Sequence, residues 1–196
     1  YKTILESFES EVLKIKKSKF IGFAIPVSNE NNVKDALNKI RILHPSASHW
    51  CYAYKIGTNV AKVKANDDGE PMNSAGKPIL GQIQSFDVTN IIIIIVRYYG
   101  GTKLGVGGLI TAYKETAKNV LITSTIVEKE LTKTLLLNFK YDLLNSVMRV
   151  TKQYQLSFIE QTMELDCRIK LEVPKKIFEE VIDKYASIYG IKITEL

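Results

Sequence analysis

The chain is poor in residues that form covalent or metal-bound cross-links. It has two cysteines and two histidines among 196 residues, and Cys51 and Cys167 are too far apart for the paired spacing of a zinc site. Two cysteines also fall short of the disulfide framework on which small secreted domains depend. We therefore expect reduced, buried thiols, and we predict no metal and no cofactor.

Long apolar runs are also missing. The longest wholly apolar run has six residues, Ile91–Val96, whereas a membrane-spanning helix needs about 20. The first residues lack the basic, apolar and small-residue pattern of a secretion signal. The remaining composition is ordinary for a globular protein, with 45% hydrophobic and 24% charged residues. We expect a cytoplasmic protein of one or two domains without a membrane partner.

Positive charge is concentrated in the first two-thirds of the chain. The net charge is +6; residues 1–128 contain 16 Lys and Arg against 11 Asp and Glu, and residues 129–196 contain 11 against 10. Lysines on a sheet edge either prevent association between sheets or contact nucleic acid, and the sequence leaves both interpretations open. The cluster in question lies on a predicted strand or hairpin and comprises Lys14, Lys16, Lys17 and Lys19.

Glycine, in contrast, is concentrated in one place, because five of the eleven glycines lie between Gly100 and Gly108. The β-branched run Ile91–Val96 before them predicts a central strand covered on both faces. Apolar residues at helical spacing over 109–121 predict an amphipathic helix after them. A helix that begins near Gly107 would present unpaired N–H groups and the positive end of its dipole to an anion.

This strand, loop and helix predict a phosphate-binding site with Arg97 and Lys103 as flanking charges. The loop matches neither the Walker A motif nor the dinucleotide-binding fingerprint. Glycines that serve only a tight turn and close packing remain the alternative. The candidate phosphate- or nucleic-acid-binding residues are Arg97, Tyr98, Tyr99, Gly100, Gly101, Thr102, Lys103, Gly105, Gly107 and Gly108.

A predicted aromatic strand, HWCYAY from His49, carries two reactive residue types. His49 and Cys51 would share one face of this strand, but no third group that would orient a Cys–His pair is evident. His49 is therefore either a ligand contact or a partly buried histidine.

The loop 65–78 is acidic at its start. Asp67, Asp68 and Glu70 could hold a divalent cation that bridges to phosphate. The interpretation that we favour is an ordered loop in which the aspartates accept backbone N–H bonds. No catalytic residue is predicted; under the enzyme alternative, the candidates are His49, Asp67, Asp68 and Glu70.

A domain boundary is predicted within residues 124–130, which gives domains of residues 1–128 and 129–196. Apolar patterns in the second domain predict the element order β-α-β-β-α-β, which is that of the ferredoxin-like fold. Its charge is nearly balanced and its strands carry no aromatic RNA-binding signature. The predicted class is α+β with two domains.

Three segments resemble the IMPACT family, in particular its bacterial two-domain YigZ-like branch. They are RYYGGTKLGVGGLITAY from Arg97, HWCYA from His49, and DDGEP followed by SAGKP between Asp67 and Pro78. The resemblance covers essentially the whole chain. For the first domain it implies the α+β fold shared by a small-ribosomal-subunit protein domain and by small-molecule kinases of the galactokinase type.

The resemblance also implies a role in translation or stress response, because eukaryotic IMPACT proteins are associated with control of translation initiation through protein partners. The leading hypothesis is a binding or regulatory protein that contacts RNA, the ribosome or a ribosome-associated protein through phosphates at the glycine-rich loop. The alternatives are an enzyme acting on a small phosphorylated metabolite, metal-assisted or not, and a protein-binding scaffold. The sequence leaves the oligomeric state open.

Overall fold

The computed structural model describes all of residues 1–196 and divides them into two compact units, Tyr1–Lys129 and Glu130–Leu196. Both units combine helices with antiparallel sheets, which confirms the predicted α+β class. None of the helices has the length and hydropathy that a membrane crossing requires.

Unit 1 contains a six-stranded sheet, a two-stranded sheet and three helices. The larger sheet has the order β2-β4-β7-β5-β6, with β3 paired to β4, and the smaller sheet pairs β1 with β8. The elements are β1 (Lys2–Ile4), β2 (Phe8–Glu9), β3 (Leu13–Ile15), β4 (Ser18–Pro26), α1 (Glu30–Leu43), β5 (His49–Ile56), β6 (Lys62–Asn66), α2 (Gly76–Ser85), β7 (Ile91–Tyr98), α3 (Gly105–Thr123) and β8 (Ile126–Glu128).

The unbroken apolar run forms the central strand β7, and both of its faces are covered. Ile91, Ile93 and Ile95 pack against α2 and α3, while the alternate residues of β7 pack against α1. Every side chain from Ile91 to Val96 is therefore fully buried. A strand covered on both faces needs apolar residues at every position, which explains the absence of alternation.

Two features differ from the sequence prediction. Helix α3 begins at Gly105 instead of near Gly107. Residues 124–130, where the domain boundary was predicted, include β8, which pairs with β1 over a separation of about 120 residues. Long-range pairing of this kind leaves no local signal in the sequence.

Unit 2 has the element order β-α-β-β-α-β. Its sheet is antiparallel with the order β10-β11-β9-β12, and both helices pack on one face around a core that includes Phe178 and Tyr185. The elements are β9 (Thr132–Lys140), α4 (Leu144–Gln153), β10 (Ser157–Thr162), β11 (Asp166–Pro174), α5 (Phe178–Ala186) and β12 (Lys192–Glu195), with a 3₁₀ turn before each helix.

Candidate functional site

The three segments singled out in the sequence meet at one end of the larger sheet of unit 1. Strands β5 and β7 are antiparallel neighbours, and His49 lies opposite Arg97. The acidic loop after β6 and the glycine-rich loop after β7 complete a pocket of about 550 Å³, a volume typical of small-molecule sites. We call it the α3 pocket; it is lined by His49, Glu70, Pro71, Arg97, Tyr99, Lys103, Leu104, Gly105, Val106 and Leu109.

Glu70 is a buried carboxylate in the wall of the α3 pocket. Its side chain is 4% exposed, and its Oε1 accepts hydrogen bonds from Arg97 Nη1 at 2.6 Å and from Tyr113 Oη at 2.8 Å. A buried charge is costly unless it is paired and hydrogen-bonded, so these two donors stabilise the carboxylate at this position. The second oxygen, Oε2, accepts no hydrogen bond from the protein.

Arg97 is almost as deeply buried, with 5% of its side chain exposed. Its Nη2 lies 3.4 Å from Ser18 Oγ, and its Nε has no hydrogen-bond partner. The sequence predicts Arg97 as a positive charge that flanks a phosphate, and in the structure Glu70 compensates this charge. The uncompensated positive charge of the pocket lining belongs to the exposed Lys103.

His49 presents one fixed ring nitrogen to the pocket. Its Nδ1 lies 2.8 Å from the carbonyl oxygen of Asp68, and because a carbonyl only accepts, Nδ1 carries the proton. The other nitrogen, Nε2, lies 3.9 Å from Glu70 Oε1, beyond hydrogen-bond distance. In the neutral imidazole, Nε2 is thus an acceptor without a donor.

The two aspartates of the acidic loop have other partners. Asp67 accepts from the amides of Asn73, Ala75 and Gly76 at 2.8–2.9 Å, and thereby satisfies the first amides of α2. Asp68 accepts from Arg41 Nη2 at 2.9 Å and from the amide of Trp50 at 2.8 Å.

The cation-binding alternative therefore finds no support in the geometry. No group of three or more His, Cys, Asp or Glu side chains is placed to hold a metal ion. Asp67 and Asp68 order the loop, and the carboxylate of Glu70 is the member of the acidic trio that reaches the α3 pocket.

The glycine-rich loop delivers an uncapped helix N-terminus to the pocket. Gly101 and Gly105 adopt φ of +79° and +77°, a left-handed conformation that glycine takes without strain. The residue before the helix, Leu104, offers no side-chain acceptor. The first amides of α3, in residues 105–107, therefore have no intrahelical partner, and the helix dipole adds partial positive charge.

Six of the predicted phosphate-binding residues do not line the pocket. Tyr98 lies on the other face of β7, where its hydroxyl is 2.8 Å from His44 Nδ1, because successive strand residues point to opposite faces. The others shape the loop or the first turns of α3, and they are Gly100, Gly101, Thr102, Gly107 and Gly108.

The basic cluster near the N-terminus forms a hairpin beside the glycine-rich loop. Strands β3 and β4 are joined at Lys16 and Lys17, which have φ of +44° and +67°. The loop packs directly against this turn. The two backbones are so close that a Cβ added to Gly100 would lie 2.1 Å from the carbonyl carbon of Lys17. Ser18 connects the two segments by accepting a hydrogen bond from the Gly100 amide at 3.2 Å. We call the exposed Lys16–Lys17 pair the basic turn.

Cys51 lies behind the pocket and does not have the properties of a nucleophile. Its Sγ is 2.9 Å from the carbonyl oxygen of Asp67 and 3.3 Å from Tyr113 Oη. Burial raises the pKa of the Cys51 thiol far above its usual range. Burial and the neighbouring Cys51 and Glu70 likewise raise the pKa of Tyr113, so the phenol remains a donor to Glu70.

We predict that Cys51 does not react with thiol reagents in the folded protein. The reactive species is the thiolate, and a raised pKa together with zero exposure removes it at neutral pH. In the Cys167→Ser variant, which leaves Cys51 as the only thiol, 5,5′-dithiobis(2-nitrobenzoate) should titrate no thiol until denaturant is added. Rapid labelling of the native variant would contradict the burial of Cys51.

The sequence analysis did not identify two residues of the site. Tyr113 falls on the apolar stripe of α3, where an aromatic residue is most simply core, yet its hydroxyl holds Glu70. Ser18 lies among lysines and carries no motif, yet its hydroxyl contacts both Arg97 and Gly100. In both cases the partner is more than 40 residues away in sequence, so local spacing contains no indication of it.

Comparisons with known proteins agree with the motif resemblance. The model of the Impact N-terminal domain matches residues 16–121. IMPACT family member YvyE of Bacillus subtilis is 36% identical over 155 residues, which are 79% of this chain and 71% of the relative. An IMPACT family member of Haemophilus influenzae is 33% identical over 198 residues, covering 96% and 93% of the two chains. A crystal structure of a protein described as hypothetical aligns over 100% of this chain and 97% of that chain, with 27% identity and a TM-score of 0.75.

Proposed function

The chain belongs to the IMPACT family, and from this premise we propose that it is a translation-associated regulatory protein that binds the phosphate groups of RNA at the α3 pocket. The resemblance to eukaryotic IMPACT proteins, which are associated with control of translation initiation, supports the translational context. The proposed partner is RNA, free or within a ribosome, and the proposed location is the cytoplasm.

The observation that carries the proposal is the uncapped N-terminus of α3 at the pocket. A helix of 19 residues has a full dipole, and its free amides are the groups that bind phosphate in many proteins. Lys103 adds an exposed positive charge beside them. Arg97 lines the same pocket, and its Nε is buried without a hydrogen-bond partner, an arrangement that is rare in folded proteins.

The basic turn extends the positive surface beyond the pocket. Non-glycine residues at positive φ cost free energy, and hairpin turns of this type usually contain asparagine and glycine. Two exposed lysines occupy these positions instead, and the backbone of the second, Lys17, lies against the glycine-rich loop. Edge protection alone would not require lysine at the turn, so the placement favours a contact with a polyanion.

We predict that removal of these charges weakens RNA binding and its dependence on salt. The variant Lys16→Ala/Lys17→Ala/Lys103→Ala loses three phosphate contacts. Each contact on a single strand contributes about 0.7 to the slope of log affinity against log salt, so the slope should become shallower by about 2. Fluorescence anisotropy with a labelled 12-nucleotide single-stranded RNA, from about 50 to 200 mM salt, measures both quantities.

The control variant removes the same charge elsewhere on unit 1. Lys34, Lys114 and Lys118 are exposed and form no ion pair, and none of them lines the pocket. Their triple alanine variant should retain the slope of the wild type within about 0.7. An equal loss in both variants would mean that binding depends only on net charge, and no binding at low salt would eliminate RNA as a direct ligand.

A further inference from the structure

We infer that the α3 pocket takes one ribonucleotide unit with a free 2′,3′-diol, such as the 3′-terminal nucleotide of an RNA, and not an internal stretch of backbone. This rests on the proposed function in that the ligand is taken to be RNA. The same chemical unit occurs in a free ribonucleoside 5′-monophosphate, and the experiment below separates the two sources.

The pocket contains two acceptors that lack a donor. In the neutral imidazole, His49 Nε2 is an acceptor because Nδ1 donates to the Asp68 carbonyl, and Glu70 Oε2 accepts nothing from the protein. His49 Nε2 lies 3.9 Å from Oε1, the paired oxygen of the same carboxylate, so the two unpaired acceptors belong to neighbouring groups. Two neighbouring acceptors in a concave site call for a ligand with two neighbouring donors.

The surroundings determine what kind of donor pair fits. A ligand ammonium would be repelled by Arg97, whose guanidinium lies against the same carboxylate. A vicinal diol is uncharged, and it presents two O–H donors side by side. In nucleic acids that group is the 2′,3′-diol of a terminal ribose, since an internal ribose has only its 2′-hydroxyl free and DNA lacks that one as well.

The other walls of the pocket suit the remaining parts of a nucleotide. The free amides of α3 and Lys103 offer a phosphate site. Tyr99 lines the pocket with 49% of its surface exposed, so one ring face is available for a base to stack on. Leu104, Val106 and Leu109 supply apolar surface. A volume of about 550 Å³ suits one such unit, as is usual for a small-ligand pocket.

The test varies only the end of the RNA. Four fluorescein-labelled 12-nucleotide RNAs, identical except for a 3′ end carrying the 2′,3′-diol, a 2′-deoxyribose, a 3′-deoxyribose or a 3′-phosphate, are titrated with wild-type protein by anisotropy. We expect the diol end to bind about 10- to 100-fold more tightly than the others, which is the usual effect of hydrogen bonds to charged or strongly polar groups.

The variant His49→Phe separates ligand contact from folding. It removes one acceptor and keeps a ring of similar size, so the preference for the diol end over the 3′-deoxy end should shrink. A merely structural role of His49 would weaken all four RNAs equally and leave the preference intact, which would overturn the inference.

Calorimetry then measures the binding of adenosine 5′-monophosphate and of its 2′,3′-dideoxy analogue to the wild-type protein. If only the free nucleotides bind and the diol form is preferred, the inference holds and the proposed RNA-binding function fails. Equal binding of all four RNAs would overturn the inference and leave the proposed function standing. If neither RNA nor nucleotide binds, both are overturned.

Discussion

Replacing Arg97 by methionine is expected to lower the free energy of unfolding of unit 1 by about 3–5 kcal/mol. The substitution leaves the carboxylate of Glu70 buried, with the hydrogen bond from Tyr113 as its remaining strong contact. The loss of one partner from a buried pair is far more costly than the net value of the pair, because the other charge stays desolvated. Urea unfolding followed by circular dichroism measures the change.

Two companion variants identify the cause. In Arg97→Met/Glu70→Gln no unpaired charge remains buried at this position, so part of the lost stability should return. Lys62→Met removes one side of an exposed pair, Lys62 with Glu30 at 2.8 Å, and should have little effect because solvent screens such pairs. A loss below about 1 kcal/mol in Arg97→Met would show that the pair is not buried in solution.

Gly100→Ala is expected to be the other severely destabilising substitution, by about 3 kcal/mol or more. The new Cβ would lie 2.1 Å from the carbonyl carbon of Lys17 and 2.3 Å from the amide nitrogen of Ser18. These are backbone atoms of a paired hairpin, and they cannot move aside as a flexible side chain would. Forced overpacking usually costs about 1–3 kcal/mol, and rigid neighbours place this case at or above the upper end.

Gly107→Ala is the matched control within the same loop and helix. A Cβ at Gly107 would have no atom within 4 Å, and Gly107 lies in the first turn of α3. Alanine in an open helical position stabilises by about 0.5–1 kcal/mol relative to glycine. Destabilisation of both variants to the same degree would contradict the close contact between the glycine-rich loop and the hairpin.

The elements that could be predicted are those with strong local patterns. The apolar run of β7 and the amphipathic stripe of α3 each indicate their structure within a short stretch, residues 91–96 and 109–121, and the glycine-rich loop between them follows directly. Strands β6 and β8 were not predicted, because one is mostly exposed and the other is a three-residue partner of β1. Their existence depends on tertiary pairing.

The candidate site was predicted in outline and not in its internal division of roles. The sequence placed Arg97, Lys103 and the start of α3 around a phosphate, but nothing local shows that Glu70 neutralises Arg97. The three acidic residues look equivalent along the chain, yet only the third reaches the α3 pocket. The exclusion of Tyr98 was predictable, since strand alternation separates it from its neighbours Arg97 and Tyr99.

The most direct test of phosphate binding at α3 is a heteronuclear NMR titration of ¹⁵N-glycine-labelled protein with the 3′-diol RNA. Eleven glycines report on both units. We predict that the amides of Gly105 and Gly107 shift most, with a smaller change at Gly101, while Gly57 and Gly190 do not move. Shifts confined to Gly190 in unit 2, or saturating RNA binding without a change at Gly105 and Gly107, would contradict an anion site at the N-terminus of α3.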